Sequence, residues 1–125
     1  MIKKRRIGGE YEEQKKLIKY LDDLKFNSNN QIKFSAIVND TYTPSYQEKT
    51  KNTLSGLRSG LPDLFLIINK KCLFIEMKRE KGGVLSEFQK KWIEAINESE
   101  NNIKAYVCKG FEEAKKVIER YLIKE

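Results

Sequence analysis

Two apolar segments separated by a short polar break most constrain the fold of this chain. Leu64–Ile68 is an uninterrupted apolar run, and Cys72–Lys78 follows it after Asn69-Lys70. Segments of this length and composition predict strands, and a short polar break between them predicts an antiparallel hairpin. Because the first run has no polar residue, it is typical of a strand that is covered on both faces.

The length of the turn determines which residues of this hairpin face each other. With a two-residue turn, Asp63 faces Glu76 and Phe65 faces Phe74, and a facing aromatic pair is a favourable cross-strand contact. A three-residue turn would shift this pairing by one, and lysine at the second turn position is a poor substitute for glycine. Under either register, Glu76 and Lys78 share a face, because side chains alternate along a strand.

Helical or strand-like spacing of apolar residues predicts five further elements. They are a helix over Glu10–Lys25, a strand over Ile32–Val38, a helix over Ser86–Ser99, a strand over Ile103–Cys108 and a helix over Phe111–Leu122. Segment 39–59 has no sustained apolar period and is expected to be a loop, which at this length is often functional. The order helix, three strands, helix, strand, helix predicts an α/β domain with one mixed sheet flanked by helices.

The length and the apolar content are those of one globular domain. With 125 residues, we expect a basic N-terminal arm over residues 1–9 and a single domain over residues 10–125. No apolar run reaches the roughly 20 residues of a membrane span, and the basic N-terminus lacks the apolar core of a signal peptide. Cys72 and Cys108 lie inside apolar runs, which is typical of reduced, buried thiols. These features predict a cytoplasmic protein without membrane association.

The composition restricts the available chemistry. The chain has no histidine, which excludes Ser-His-Asp and Cys-His catalysis, and its two cysteines are too few for a zinc site. Hydrolysis would therefore require carboxylates, lysine and a hard metal ion. The chain has 25 basic and 18 acidic residues, and the resulting net charge of +7 favours polyanionic partners such as nucleic acid or an acidic membrane surface.

The hairpin carries the residues best suited to such chemistry. Asp63 and Glu76 both border apolar runs, where unpaired charges are unfavourable. Two carboxylates that face each other repel unless a cation lies between them, and oxygen ligands suit Mg²⁺ or Mn²⁺. Lys78 on the same face would hold or deprotonate an attacking water. Each motif alone is common as a structural feature, but together they are chemically sufficient for phosphodiester hydrolysis.

These motifs resemble those of a known family. Gly60-Leu-Pro-Asp63 followed by Glu76-Met-Lys78 resembles the PD-(D/E)xK nuclease core, and specifically the VRR-NUC family. Further matches span nearly the whole chain: Glu10, Gln14, Asn39, Gly56, Leu85-Ser86-x-x-Gln89 and the closing strand and helix over 103–122. The short chain is most similar to the stand-alone virus-type members, including those of phage, which are related in fold to Holliday junction resolvases. The resemblance implies a restriction-endonuclease-like fold.

The resemblance also implies roles for individual residues. Asp63 and Glu76 would be metal ligands, the Met77 backbone carbonyl would complete the metal shell, and Lys78 would be the catalytic lysine. Gln89 either supports the site or only closes the capping box that begins its helix. The implied cofactor is Mg²⁺ or Mn²⁺, and no small-molecule cofactor is expected.

Members of this family carry an acidic residue on the first helix, and three residues of this chain compete for that role. Glu10 is favoured over Glu12 and Glu13 because it shares a helical face with Gln14 and Leu17, the face expected to meet the sheet. Glu13, one turn before Leu17, is the second candidate. A carboxylate near a helix N-terminus is also favourable without any functional role.

Basic and aromatic residues outside the motif are candidate nucleic-acid contacts. Basic side chains contact phosphates, and aromatic side chains stack on unpaired bases. The candidates lie in the N-terminal arm and in segment 39–59: Lys3, Lys4, Arg5, Arg6, Tyr42, Tyr46, Lys49, Lys51 and Arg58. Any single lysine among them is more often only a solvated surface charge.

The sequence therefore predicts a metal-dependent DNA endonuclease that is structure-specific for branched or junction DNA. We expect it in the cytoplasm and, if the protein is viral, in the cytoplasm of the host cell. A homodimer would extend the DNA-contacting surface of so small a domain and would place two sites on a branched substrate. The alternative is a non-catalytic DNA-binding or recruitment module that retains the nuclease fold. A third possibility, a nuclease directed at RNA, shares the chemistry and differs only in its substrate.

Overall fold

The computed structural model describes residues 2–38 and 46–124, with side chains from Gly9 onward. Helices and strands follow in the order α1 (Ile2–Asn27), β1 (Ile32–Ala36), α2 (Tyr46–Leu54), β2 (Leu64–Ile68), β3 (Lys71–Lys78), α3 (Glu87–Asn97), β4 (Ile103–Lys109) and α4 (Phe111–Glu119). This confirms the predicted α/β class, with α2 as an additional element. None of the helices in these two ranges combines the length and the apolar character required of a membrane span.

The strands form one mixed sheet in the order β1-β2-β3-β4. β1 and β3 each pair with β2 in antiparallel fashion, and β4 pairs with β3 in parallel fashion. Ile68 faces Lys71 and Phe65 faces Phe74, so the register is that of the two-residue turn. The Phe65 and Phe74 rings lie 5.0 Å apart between centroids, which is the cross-strand aromatic contact expected from the sequence.

The turn between β2 and β3 is fixed by the side chain of Asn69. Asn69 and Lys70 have φ angles of 47° and 75°, the left-handed conformation that a two-residue turn of this twist requires at both positions. Asn69 Nδ2 donates hydrogen bonds to Asn30 Oδ1 and to the Tyr121 carbonyl, both at 2.8 Å, and its Oδ1 accepts one from the Gln31 amide at 2.9 Å. The turn is therefore bound to the segment between α1 and β1 and to the segment after α4.

The two faces of the sheet are covered differently. One face packs against α1 and α4 and forms the core, in which every fully buried aliphatic side chain contributes about 1.5–3 kcal/mol. This core consists of Leu17, Leu21, Ile32, Leu64, Leu66, Ile68, Leu73, Ile75, Met77, Cys108, Ala114, Val117 and Ile118. On the other face, α3 packs against β4, and Asn97 hydrogen-bonds the Ala105 backbone at the outer edge of that strand. Phe65, Ile67 and Phe74 on this face remain partly exposed.

Three features differ from the sequence prediction. α1 begins at Ile2 rather than Glu10, because Gly8 and Gly9 cost only about 1 kcal/mol each in a helix rich in good helix formers. α2 lies in the expected loop, and none of its residues is buried, so no amphipathic period marked it. The helical spacing of Phe88, Trp92 and Ile96 predicts that Phe88 lies on the apolar face of α3, but Phe88 is 64% exposed, because it lies at the mouth of the cavity described below. Asn39 and Tyr42 lie outside the described residues.

We predict that Lys70→Gly stabilises the protein. Glycine adopts a left-handed φ without the steric cost that lysine incurs, so the free energy of unfolding should rise by about 0.5–1 kcal/mol. Urea denaturation followed by circular dichroism measures the change. Lys71→Gly is the matched control, because Lys71 lies in β3, where glycine should cost up to about 1 kcal/mol. Equal destabilisation by both substitutions would contradict this account of the turn.

Candidate active site

Asp63 is held between two strands at the end of β2. Its backbone carbonyl accepts a hydrogen bond from the Ile37 amide at 2.8 Å, and its Oδ2 accepts one from the Met77 amide at 2.7 Å. The side chain thus continues the hydrogen bonding between β2 and β3 beyond their last backbone pair, Leu64 with Ile75. The next facing position on β3 is Glu76, as the sequence predicted, so the two carboxylates lie on the same face of the sheet.

Glu76 is a buried carboxylate with incomplete hydrogen bonding. It is 2% exposed, and its Oε2 accepts a hydrogen bond from Gln89 Nε2 at 2.9 Å and lies 3.5 Å from Lys78 Nζ. Its Oε1 is buried and has no hydrogen-bond partner among the described residues. Burial, with the charge of Asp63 as a second cause, raises the pKa of Glu76 to about 7, although Lys78 opposes the shift. The carboxylate therefore lies where additional positive charge would stabilise it.

Gln89 joins the cap of α3 to the acidic pair, which consists of Asp63 and Glu76. Its Oε1 accepts hydrogen bonds from Lys78 Nζ at 3.2 Å and from the Ser86 amide at 2.9 Å, while Ser86 Oγ accepts one from the Gln89 amide. With the bond to Glu76, one carboxamide both closes the capping box of α3 and orients two side chains of β3. The sequence offered the cap and the site as alternatives, but the structure combines them.

The three acidic candidates on α1 have different surroundings. Glu10 lines the same cavity as the acidic pair, and its charge contributes to the raised pKa of Asp63, after burial as the main cause. Glu13 Oε1 instead accepts a hydrogen bond from the Phe111 amide at 2.7 Å, and this bond lowers the pKa of Glu13. Glu12 is exposed and lies 3.8 Å from Lys15. Glu10 thus lines the cavity that contains Asp63 and Glu76, whereas Glu13 fixes the start of α4.

The residues fit a small hard cation bound through a pair of carboxylates. In the part of the chain that the structure describes, no group of three histidine, cysteine or acidic residues is close enough to hold a metal ion by itself. Mg²⁺, however, usually binds through one or two carboxylates and keeps several waters. The unpartnered Oε1 of Glu76 and the facing Asp63 provide that donor set. The Met77 carbonyl points to the side of Asp63, because the N–H and C=O of one strand residue share a direction.

An open, mostly polar cavity gives access to these groups. It is bounded by α1, the segment before β2, the end of β3 and the start of α3. Its lining consists of Glu10, Ser59, Gly60, Asp63, Glu76, Lys78, Ser86, Phe88 and Gln89. Every site residue that the sequence predicted by side chain, apart from the nucleic-acid contacts, therefore lines one cavity.

Two glycines, Gly60 and Gly83, allow the close packing of this cavity. Gly60 has a φ of +103°, and a Cβ there would lie 2.7 Å from the Phe88 carbonyl; Trp92 Nε1 also donates a hydrogen bond to Ser59. The segment before Asp63 is thus held against the start of α3. A Cβ at Gly83 would lie 2.8 Å from Lys78 Cβ. Gly83 therefore makes room for the Lys78 side chain.

The predicted nucleic-acid contacts whose side chains the structure describes lie outside the cavity. On α2, Tyr46, Lys49 and Lys51 are exposed, with Tyr46 at 81%. Arg58 is also exposed, but its Nη1 donates hydrogen bonds to the Thr53 and Leu57 carbonyls. The side chains of Lys3, Lys4, Arg5 and Arg6 lie outside the described residues. Contact of these residues with nucleic acid stays a prediction.

The mixed sheet carries two facing carboxylates and a lysine at one end of its central strands. Comparison with known families shows that this is a nuclease-type fold. The family model of the VRR-NUC domain matches residues 4–112, and the chain belongs to this family. Two solved structures agree with this result. A "VRR_NUC domain protein" is 23% identical with a TM-score of 0.65, covering 91% of this chain and 88% of the other. A "VRR_NUC domain" is 21% identical with a TM-score of 0.58, covering 90% and 97%.

At these identities, the structural likeness shows the fold. No curated protein matches the chain.

We predict that Glu76→Gln stabilises the metal-free protein above neutral pH. The pKa of Glu76 is about 7 in the folded state, and its ordinary value is 4.5. Between pH 4.5 and pH 7, Glu76 is therefore protonated in the folded state and ionised in the unfolded state. The contribution of Glu76 to stability therefore falls as pH rises from about 4.5 to about 7, by up to about 3 kcal/mol. Glutamine has no charge to bury, so the advantage of the variant should grow across this range.

Denaturation in EDTA at a series of pH values measures this difference, and Glu94→Gln, at an exposed position of α3, is the control. Mg²⁺ should raise the melting temperature of the wild type more than that of Glu76→Gln. An unchanged difference between wild type and Glu76→Gln from pH 4.5 to 8 would contradict the assigned burial of this charge.

Proposed function

We propose that this protein is a metal-dependent nuclease that hydrolyses phosphodiester bonds of DNA. The observation that carries the proposal is the state of Glu76, whose buried Oε1 has no hydrogen-bond partner among the described residues. Glu76 faces Asp63 and lies beside Lys78 in an open polar cavity. A protein that only bound DNA would gain nothing from two facing carboxylates at that position, because they repel phosphate. Membership of the VRR-NUC family agrees with this function.

Asp63 and Glu76 would hold Mg²⁺ or Mn²⁺, together with the Met77 carbonyl and with Glu10 at the edge of the cavity. When bound, the ion would stabilise the charge that develops on the phosphate and lower the pKa of a bound water. Asp63 is suited to this role because its Oδ2 and its backbone carbonyl are both fixed by hydrogen bonds.

Lys78 would position the attacking water. Its ammonium group has three donors, and the structure directs it toward Gln89 Oε1 at 3.2 Å and Glu76 Oε2 at 3.5 Å. The remaining donor is available for a water or for a phosphate oxygen. Because Gln89 is fixed by the helix cap, the ammonium is held in place before the substrate arrives, which reduces the reorganisation required during the reaction.

We further propose that the substrate is branched or junction DNA and that the active form is a homodimer. The fold kinship of the family with junction resolvases supports both proposals. Linear, flap and four-way-junction DNA, each incubated with and without Mg²⁺, distinguish these substrates by their products. RNA of the same sequences tests the choice of DNA, and sedimentation analysis gives the oligomeric state.

We predict that Asp63→Asn and Lys78→Met each lower the rate of cleavage by about 10²–10⁴-fold. Asparagine still accepts the Met77 hydrogen bond, and methionine keeps the aliphatic stem of lysine, so both variants should fold and bind DNA with little change. Single-turnover cleavage of labelled DNA in Mg²⁺ measures the rate. A filter-binding titration in EDTA measures affinity.

The matched controls are Asp22→Asn on α1 and Lys91→Ala on α3, which change exposed residues of the same types outside the cavity. Both should cleave at the wild-type rate. Cleavage by Asp63→Asn at that rate would refute the assigned site. A wild-type protein that bound DNA but cut neither DNA nor RNA in Mg²⁺ or Mn²⁺ would favour the non-catalytic binding module.

We predict that Gly83→Ala slows cleavage through Lys78. The added methyl group must displace the Lys78 stem, and a displacement of about 1 Å can cost up to about 10²-fold in rate. Val84→Ala is the control, because Val84 follows Gly83 directly and is 78% exposed, so that its truncation leaves Lys78 in place. In a Lys78→Met background the Gly83 substitution should have no further effect on the rate. An equal loss of rate in both backgrounds would show that Gly83 does not act through Lys78.

A further inference from the structure

A second groove lies at the opposite end of the hairpin from the carboxylates. It is formed by the end of α1, the start of β1 and the turn between β2 and β3. Its described lining contains Lys25, Lys33 and Lys70 together with the partly exposed Ile67, and it contains no carboxylate. No residue of this groove was among the nucleic-acid contacts that the sequence predicted.

These three lysines have no ionic partner in the described part of the chain. The ion pairs found there involve other lysines, such as Lys15 with Glu12 and Lys19 with Asp23 on the outer side of α1. Several cations around one groove without counter-charges repel each other and attract polyanions. The groove is therefore complementary in charge to a phosphate backbone.

One face of the sheet connects the groove with the candidate active site, because Ile67 of the groove and Asp63 of the cavity lie on the same face of β2. Asp63, Phe65 and Ile67 alternate on β2 toward this face, and the register places Phe74 opposite Phe65. These residues are partly exposed, because α3 packs against β4. Ile67 lies four residue steps along the strand from Asp63, a distance of about 14 Å. This corresponds to about four base-pair steps of a DNA duplex.

We infer that the groove around Lys25, Lys33 and Lys70 is a second nucleic-acid contact, an inference that rests on the proposed nuclease function. It binds the backbone of the substrate about four nucleotides from the bond that is cut. The partly apolar surface of Phe65, Phe74 and Ile67 lies under the intervening nucleotides. An acidic protein would also match the charge of the lysines, but continuity with the cavity favours the molecule that the cavity would cleave.

The experiment compares two double variants in the Asp63→Asn background, where binding is measured without cleavage. Lys33→Gln/Lys70→Gln removes two charges from the groove, and Lys15→Gln/Lys19→Gln removes two from the outer side of α1. Fluorescence anisotropy with labelled DNA, from 50 to 200 mM salt, gives the affinity and its salt dependence. The melting temperature of each variant shows whether it is folded.

The groove variant should bind several-fold to tenfold more weakly than the control variant. Its slope of log affinity against log salt should be smaller by about 1.4–1.8, because each phosphate contact contributes about 0.7–0.9. When the DNA is shortened stepwise from either end, the difference between the two variants should vanish. It should do so once the remaining DNA extends fewer than about four nucleotides from the cut, whose position the wild type defines.

Equal losses in the two double variants would overturn the inference, since they would reflect net charge alone. A difference that persisted on the shortest DNA would overturn it too, because the lysines would then act elsewhere. These failures are distinguishable from failure of the proposed function. Absence of cleavage by the wild type contradicts the nuclease proposal, whereas wild-type cleavage with identical binding by the two variants rejects only the groove.

Discussion

The hydrogen bond from the Met77 amide to Asp63 Oδ2 is the interaction on which the candidate site depends. It extends the β2–β3 pairing by a side chain, so that Asp63 is fixed at the position that faces Glu76. At the other end of the hairpin, the left-handed conformations of Asn69 and Lys70 fix the register of the same two strands. A shift of one residue in that turn would move Asp63 away from Glu76. It would also turn the core residues of β2 toward the other face of the sheet.

The site is maintained against a local electrostatic cost by the packing around it. Glu76 is buried beside a like charge, and Lys78 and Gln89 compensate this only in part, since one carboxylate oxygen has no partner among the described residues. The rows of Leu and Ile on the opposite face of the same strands provide the stability that tolerates this arrangement. Strong packing on one face and unsatisfied polarity on the other is characteristic of strands that carry functional groups.

The hairpin could be predicted from the sequence because its determinants are local. Strand composition, turn length and alternation fix the pairing of Phe65 with Phe74 and therefore the position of Asp63 relative to Glu76. α2 could not be predicted, because a helix without a buried face has no apolar period. The capping box identified the start of α3, but only the packing of α3 against the sheet shows that Gln89 also reaches Glu76 and Lys78. Distances across elements are not encoded in spacing along the chain.

The distribution of charge separates attraction of nucleic acid from placement of a phosphate. The chain carries a net charge of +7, but the cavity concentrates Asp63, Glu76 and Glu10 around a single lysine. In the proposed nuclease, long-range attraction would therefore draw a polyanion to the protein as a whole, while the carboxylates would repel a phosphate from the place where it reacts. A metal ion bound between these carboxylates would reverse that repulsion locally. In the proposed nuclease, affinity for DNA and competence to cleave it would thus depend on different groups of residues and on different ionic conditions.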